Sequence, residues 1–273
     1  MTVPPRSATH THHVATIQKK DFLWCLAPLI IWALCWLFLP EPGLFLYLNH
    51  TARLLPDIVW VTFNMLGNGW SAFALLSPLL VLAPRLLIGA MFAGAIAGAL
   101  SRWPKHVLEM PRPAGLLDHS TFYILERPLT SFAMPSGHTL TAFAVLSGIY
   151  FAMDRHRRKP FLWLFLLAAL GGFARIALGA HWPSDVFAGA ALGIFGGILG
   201  GHLSNRLPDT VVQNTSWLMR LIGFGAALCA YMLITTKIDF KIAEPVQYLF
   251  AILAIASVTV FVWRSFRLAK QLS

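Results

Sequence analysis

Three short groups of polar side chains interrupt an otherwise apolar chain of 273 residues: Lys105, Arg112 and Pro113; Pro135, Ser136, Gly137 and His138; and Arg175, His181 and Asp185. Lys105, Arg112 and Arg175 are cations that can neutralise a phosphoryl group. His138 and His181 can act as acid and nucleophile, and Asp185 can orient one imidazole. Side chains of these types can hold and break a phosphate ester.

Each group also has local logic. Ser136 is a fitting N-cap for a helix that begins at Gly137, and a glycine there lets a ligand approach the backbone. The free amides and positive end of that helix favour an anion, with His138 on the first turn placed to give a proton to a leaving oxygen. Taken alone, the tetrapeptide equally fits a plain helix cap beside an interfacial histidine. Lys105 and Arg112 stand seven positions apart, so they share a face if the helix carrying them continues, and can close on one anion even if it frays. Arg112 offers a bidentate fork and Lys105 a point charge. Snorkelling at a membrane boundary is the ordinary alternative for either residue alone. Pro113 is expected to stop the helix, and Glu109 has no assigned role. Arg175 breaks the apolar run Phe161 to Ala180 with no acid nearby in sequence, and an intramembrane arginine points to function. With Pro183 breaking the chain and Ser184 capping the next helix, Asp185 can reach one nitrogen of His181 and aim the other at a phosphate.

These residues must be positioned by membrane helices. The chain is 57% hydrophobic and 12% charged, far more apolar than a soluble domain of this length requires. Eight runs approach the length that crosses a bilayer: Phe22 to Pro40, Trp70 to Ala83, Leu86 to Trp103, His138 to Met153, Phe161 to Ala180, Ser184 to Leu203, Trp217 to Thr235 and Pro245 to Trp263. The second is short, and Ile58 to Leu66 either extends it or lies in the interface. The expected fold is all-α: a polytopic membrane bundle with a six-span core and an extra C-terminal hairpin over 217–263. Residues 1–21 read as a cytoplasmic tail without structure. In it His10, His12 and His13 offer no fixed geometry for a metal, and 22–273 form one transmembrane domain with its motif core at 105–185. Phe22 to Pro40 is longer than a signal core and reads as a span. Cys25, Cys35 and Cys229 fall in apolar helices as small core residues, with no disulfide framework.

The net charge of +10 does not imply nucleic acid, because the basic residues are scattered and form no single stripe. Most fall in loops that share one side if the N-terminus is cytoplasmic, above all Arg155, Arg157, Arg158 and Lys159, as the positive-inside rule favours. That topology brings all three motifs to the outer face, although nothing in their spacing requires it.

Lys105-x6-Arg112-Pro113, Pro135-Ser136-Gly137-His138 and Arg175-x5-His181-x3-Asp185 resemble the three-part signature of the type 2 phosphatidic acid phosphatase superfamily, which includes vanadium haloperoxidases and bacterial acid phosphatases. The resemblance spans Lys105 to Asp185. It implies that His181 attacks phosphorus to give a phosphohistidine, that Asp185 orients it, and that His138 protonates the leaving group. It also implies that Lys105, Arg112, Ser136, Gly137 and Arg175 bind phosphoryl oxygens, with no metal or cofactor in the scheme. One position departs: the serine usual before the third-motif arginine is Ala174 here, which removes a hydroxyl donor. The implied partners are the bilayer and a membrane lipid phosphate. Undecaprenyl pyrophosphate is slightly preferred over phosphatidylglycerophosphate, phosphatidate or lipid A, with the protein in the cytoplasmic membrane. Phosphotransfer to a second lipid is a rival reaction. A transporter or scaffold that only binds anions is less favoured, since binding needs cations but no positioned acid and nucleophile.

Overall fold

Apolar runs of helix-forming residues, punctuated by proline and glycine, make every regular element here a helix. The computed structural model describes residues 17–272, and no strand occurs among them. A 3-10 turn, Lys19–Cys25, leads into α1 (Leu26–Phe38). Four short helices follow: α2 (Gly43–Thr51), α3 (Asp57–Asn64), α4 (Gly69–Leu76) and α5 (Leu79–Leu82). Then come α6 (Pro84–Leu108), the short α7 (Pro113–Leu116), α8 (Gly137–Ala152), α9 (Trp163–Ala177) and α10 (Pro183–Asn205). The chain closes with α11 (Trp217–Thr235) and α12 (Glu244–Leu272).

Six stretches are long and apolar enough to cross a bilayer: Lys19–Phe38, Pro84–Leu116, Lys159–Ala177, Pro183–Asn205, Asp209–Thr235 and Lys241–Leu268, with α8 a shorter apolar helix. The protein is therefore a multi-pass, all-helical membrane protein. The expected second span, Trp70 to Ala83, is not one helix. Ser77 ends α4 with its hydroxyl on the Ala74 carbonyl (2.7 Å), and Pro78 opens the separate α5. The passage from α3 to α5 nevertheless runs the length of the bundle. Asn64 lies beside Arg175 at one end, and the Val81 carbonyl meets Arg264 at the other.

The core that holds the site is α10 packed between α6 and α8. It is narrow enough to do so because a methyl at Gly200 would overlap the Ala93 backbone, and one at Gly193 would sit 2.6 Å from the Leu140 carbonyl. Close glycine-mediated approach of this kind is the usual packing mode where lipid supplies no hydrophobic drive between helices. Two further glycines pack in the same way: Gly172 faces Thr139 and Gly197 faces Ser147. The C-terminal hairpin packs through Cys229, Ala230, Leu233, Ala251 and Ala254 against Trp60, Val61 and Ala74.

The two ends of the bundle differ in character. At one, Asp21 is 3% exposed and accepts from Arg155 (2.6 Å) and Arg158 (2.9 Å), while Arg85 donates to the Ser204 carbonyl in the last turn of α10 and to the Leu207 carbonyl just beyond it. The chain's folded part thus begins before position 22, while residues 1–16, with His10, His12 and His13, lie outside the described residues. Of the three cysteines, Cys229 is a core residue, whereas Cys25 and Cys35 are only half-buried. The other end of the bundle carries the motifs.

Candidate active site

Helix ends and the short connections between them supply the groups at this site. The α6 helix stops at Leu108, where Glu109 takes a left-handed conformation (φ 43°), and Pro113 opens α7 instead of ending α6. Lys105 and Arg112 therefore do not share one helical face. The chain turns between them, and Arg112, 6% exposed, reaches inward. It donates from Nε to the Ser131 carbonyl (2.9 Å) and from Nη1 to the Ala180 carbonyl (2.7 Å) and to His181 Nε2 (2.9 Å).

That last contact fixes the histidine's tautomer. A guanidinium can only donate, so His181 Nε2 must present its lone pair, and the ring proton lies on Nδ1. Nδ1 stands 3.2 Å from Asp185 Oδ2 as acceptor, and the same oxygen accepts from the Trp182 amide at 2.9 Å. The orienter is thus itself held at the start of α10. Asp185 does this from the third helical position, with Pro183 at the first, a placement that uses proline's fixed φ and missing N–H. Ser184 does not cap α10 as expected. Its amide and hydroxyl donate to Glu41 Oε1 (2.7 Å) and Oε2 (3.0 Å), which staples the α1–α2 turn to the α10 N-terminus.

His181 reaches the site because α9 ends in a tight wrap. The Ala180 and His181 amides both return to the Arg175 carbonyl, with Gly179 at φ +75°. A side chain at that φ is strained, and a methyl would also overlap the Tyr123 carbonyl. His181 is 2% exposed. Burial, and then the positive charges of Arg112, Arg175 and Lys105 with His138, hold its imidazole well below the usual histidine range. It is neutral at physiological pH, which is the form a nucleophile needs.

Arg175 is buried within the wrap and donates from Nη1 to Asn64 Oδ1 at 2.5 Å. Its Nε has no hydrogen-bond partner among the described residues, so donor capacity is left for an incoming acceptor. Ala174 beside it is fully buried in the apolar cluster with Val61 and Met65.

Ser136 caps α8 as expected, its Oγ accepting from the Thr139 amide (3.5 Å) and hydroxyl (2.9 Å). Its own amide donates to the Asp185 carbonyl (3.0 Å), which joins the second and third motifs directly. At Gly137 no neighbour lies nearer to an added methyl than Ser101 Cβ at 4.0 Å, so packing does not demand glycine there. His138 follows, with Gly67 pressed on it: a methyl at 67 would stand 2.6 Å from His138 Cβ.

Three groups that the sequence did not single out complete the surroundings: Glu41, Asn64 and Asp239. Asp239, in the loop between α11 and α12, places Oδ2 3.1 Å from His138 Nε2 and 3.0 Å from Asn64 Nδ2. Asn64 thereby bridges Arg175 and Asp239. The one available signal was scarcity, since the chain has only 11 acidic residues and an acid at the tip of an apolar hairpin is conspicuous.

A helical membrane bundle that gathers a buried His–Asp pair, a second histidine and three cations defines a class of integral-membrane proteins with a cationic, histidine-containing site. Residues 83–208 match the model of the PAP2 superfamily. The solved structure of LpxE from Aquifex aeolicus is 33% identical and covers 57% of this chain and 92% of that one, with a TM-score of 0.50. The chain belongs to the PAP2 superfamily. Among curated relatives, a lipid A 1-phosphatase of Porphyromonas gingivalis is 31% identical over 125 residues, 45% of this chain and 25% of that protein. An undecaprenyl-diphosphatase of Sulfolobus acidocaldarius is 27% identical over 122 residues, 43% of this chain and 55% of the relative. The matched region spans a quarter to about half of these relatives' length.

Proposed function

We propose that this protein is a lipid phosphate phosphatase whose reaction passes through a phosphohistidine on His181. The observation that carries the reading is the state of that residue: a buried, neutral imidazole with Nδ1–H on Asp185 and its Nε2 lone pair turned toward Arg112. An anion arriving at Arg112 arrives at the nucleophile. Lys105, Arg112 and Arg175, with the Ser136 hydroxyl and the Gly137 amide at the start of α8, bind the non-bridging oxygens and neutralise charge as it builds. His181 Nε2 forms a bond to phosphorus as the ester P–O bond breaks, and His138 gives its proton to the leaving oxygen. Water then attacks phosphorus and passes a proton to His138. The N–P bond breaks, its electron pair returns to Nε2, and inorganic phosphate leaves. Asp185 stabilises the positive charge on the His181 ring throughout.

The site sits at helix ends, at the level where a headgroup meets water while its chains stay in the bilayer. The basic loop Asp154 to Pro160 lies at the opposite end, so the positive-inside rule favours a cytoplasmic N-terminus and a site on the outer face of the cytoplasmic membrane. On that ground undecaprenyl pyrophosphate is placed first, with lipid A, phosphatidylglycerophosphate and phosphatidate the alternatives; the names of the relatives include phosphatases of each of the first three.

The test is phosphate release by detergent-purified protein from those four lipids, beside His181→Ala. The native protein is expected to release phosphate and the variant none. An active His181→Ala protein overturns the mechanism, and a phosphorylated lipid in place of free phosphate identifies a phosphotransferase.

A further inference from the structure

The family match ends at residue 208, yet the α11–α12 hairpin beyond it delivers a carboxylate to His138. Its loop is held from several sides. Gln247, 2% exposed, donates from Nε2 to the Leu233 and Thr236 carbonyls (2.6 Å each) and accepts from the Ile238 amide (3.4 Å). The Lys241 amide donates to Glu126 Oε1 at 2.7 Å. Between these clamps Asp239 sits at φ +58°, a left-handed conformation that costs a non-glycine residue free energy and persists only where surrounding contacts impose it. A buried amide side chain and an unfavourable φ are thus spent on one carboxylate, placed between His138 and the Asn64–Arg175 pair.

We infer that Asp239 is a positioning residue for His138, the counterpart of Asp185 for His181, so that the site contains two histidine–carboxylate pairs, the second supplied by the C-terminal hairpin. Asp239 Oδ2 accepts the Nε2 proton, which fixes the ring and favours its charged form. The proton handed to the leaving oxygen is then the one on Nδ1. As the ester P–O bond breaks that proton moves to oxygen, and His138 becomes neutral with Nε2–H still on Asp239. In the second half Nδ1 takes a proton from the attacking water. Asp239 neither gains nor loses a proton. Its carboxylate is suited to this: burial alone would raise its pKa, but the His138 hydrogen bond, the charges of His138 and Arg175, and Asn64 together bring it below the usual value.

The inference rests on the phosphatase reading, and a leaving-group comparison separates the two. A general acid matters for an alkoxide and little for a nitrophenolate, which departs without a proton. Turnover of phosphatidate and of an alkyl-chain nitrophenyl phosphate is measured for the native protein, Asp239→Asn and Asp239→Glu in detergent, together with thermal unfolding. Asp239→Asn is expected to lower the single-turnover rate of ester cleavage for phosphatidate by about 100-fold, and that for the nitrophenyl ester only a few-fold, because the later water step is common to both. Asp239→Glu is expected to recover part of the loss, and unfolding to stay near native. An equal loss on both substrates, no loss, or a gain, which would mark the hairpin as an inhibitory plug, overturns the inference. A native protein that cleaves neither substrate overturns the phosphatase reading instead.

Discussion

In the proposed reaction His181 is prepared for attack by three neighbours that work in different ways. Asp185 sets the tautomer, Arg112 marks the lone pair, and burial among cations keeps the ring neutral. The sign of the pH effect follows. A histidine held below its ordinary value stays unprotonated as the pH falls through the range where a free imidazole charges. The acid limb of kcat/KM assigned to His181 is therefore expected well below pH ~6.5. A limb at the ordinary histidine value, measured on native protein, would contradict this. Asp185→Asn keeps the shape but not the charge, and is expected to lower kcat by about 10³- to 10⁴-fold by analogy with serine triads, with phosphate binding retained. Ala174→Ser is expected to keep native turnover, because its hydroxyl would enter the apolar cluster around Val61 and Met65 and not the phosphate site.

Elements position these residues through their ends. The α9 wrap depends on Gly179, and alanine there meets both the positive φ and the Tyr123 carbonyl. Gly179→Ala is expected to cost about 1–3 kcal/mol of stability, read as a lower unfolding temperature in detergent, with activity lost beyond what unfolding explains. Gly67→Ala meets a clash as close, since its methyl would stand 2.4 Å from the His138 carbonyl oxygen and 2.6 Å from its Cβ. Turnover and the unfolding temperature are both expected to fall. Such helices were legible where hydropathy and capping agree, as in Trp217 to Thr235, whose ends match the structure. They were not where a break is set by packing. The Trp70 to Ala83 run reads as a span, but Pro78 and the Ser77–Ser257 contact at 3.1 Å divide it. Pro113 reads as a stop, but α6 had already turned at Glu109.

At the scale of the molecule, one end of the bundle carries the site and the other the basic loop. A cysteine replacing His156, read with a membrane-impermeant thiol reagent in a background lacking the native cysteines, is expected to react only in inside-out vesicles. Reaction in right-side-out vesicles would reverse the orientation. The hairpin α11–α12 is part of the same body, since its small residues pack on Trp60 and Ala74 and its loop touches His138.

The sequence by itself determined the helical membrane class, the three motif groups and the chemistry their residue types allow. Each of these is written in local composition or short spacing. Only the tertiary structure decided which groups meet. The Arg112–His181 contact joins residues 69 positions apart, Asn64 and Arg175 are separated by 111, and His138 and Asp239 by 101. No periodicity encodes such pairings, because they depend on how closely α6, α8, α9 and α10 approach and where the hairpin loop comes to rest. The second carboxylate was therefore invisible until the helices were packed.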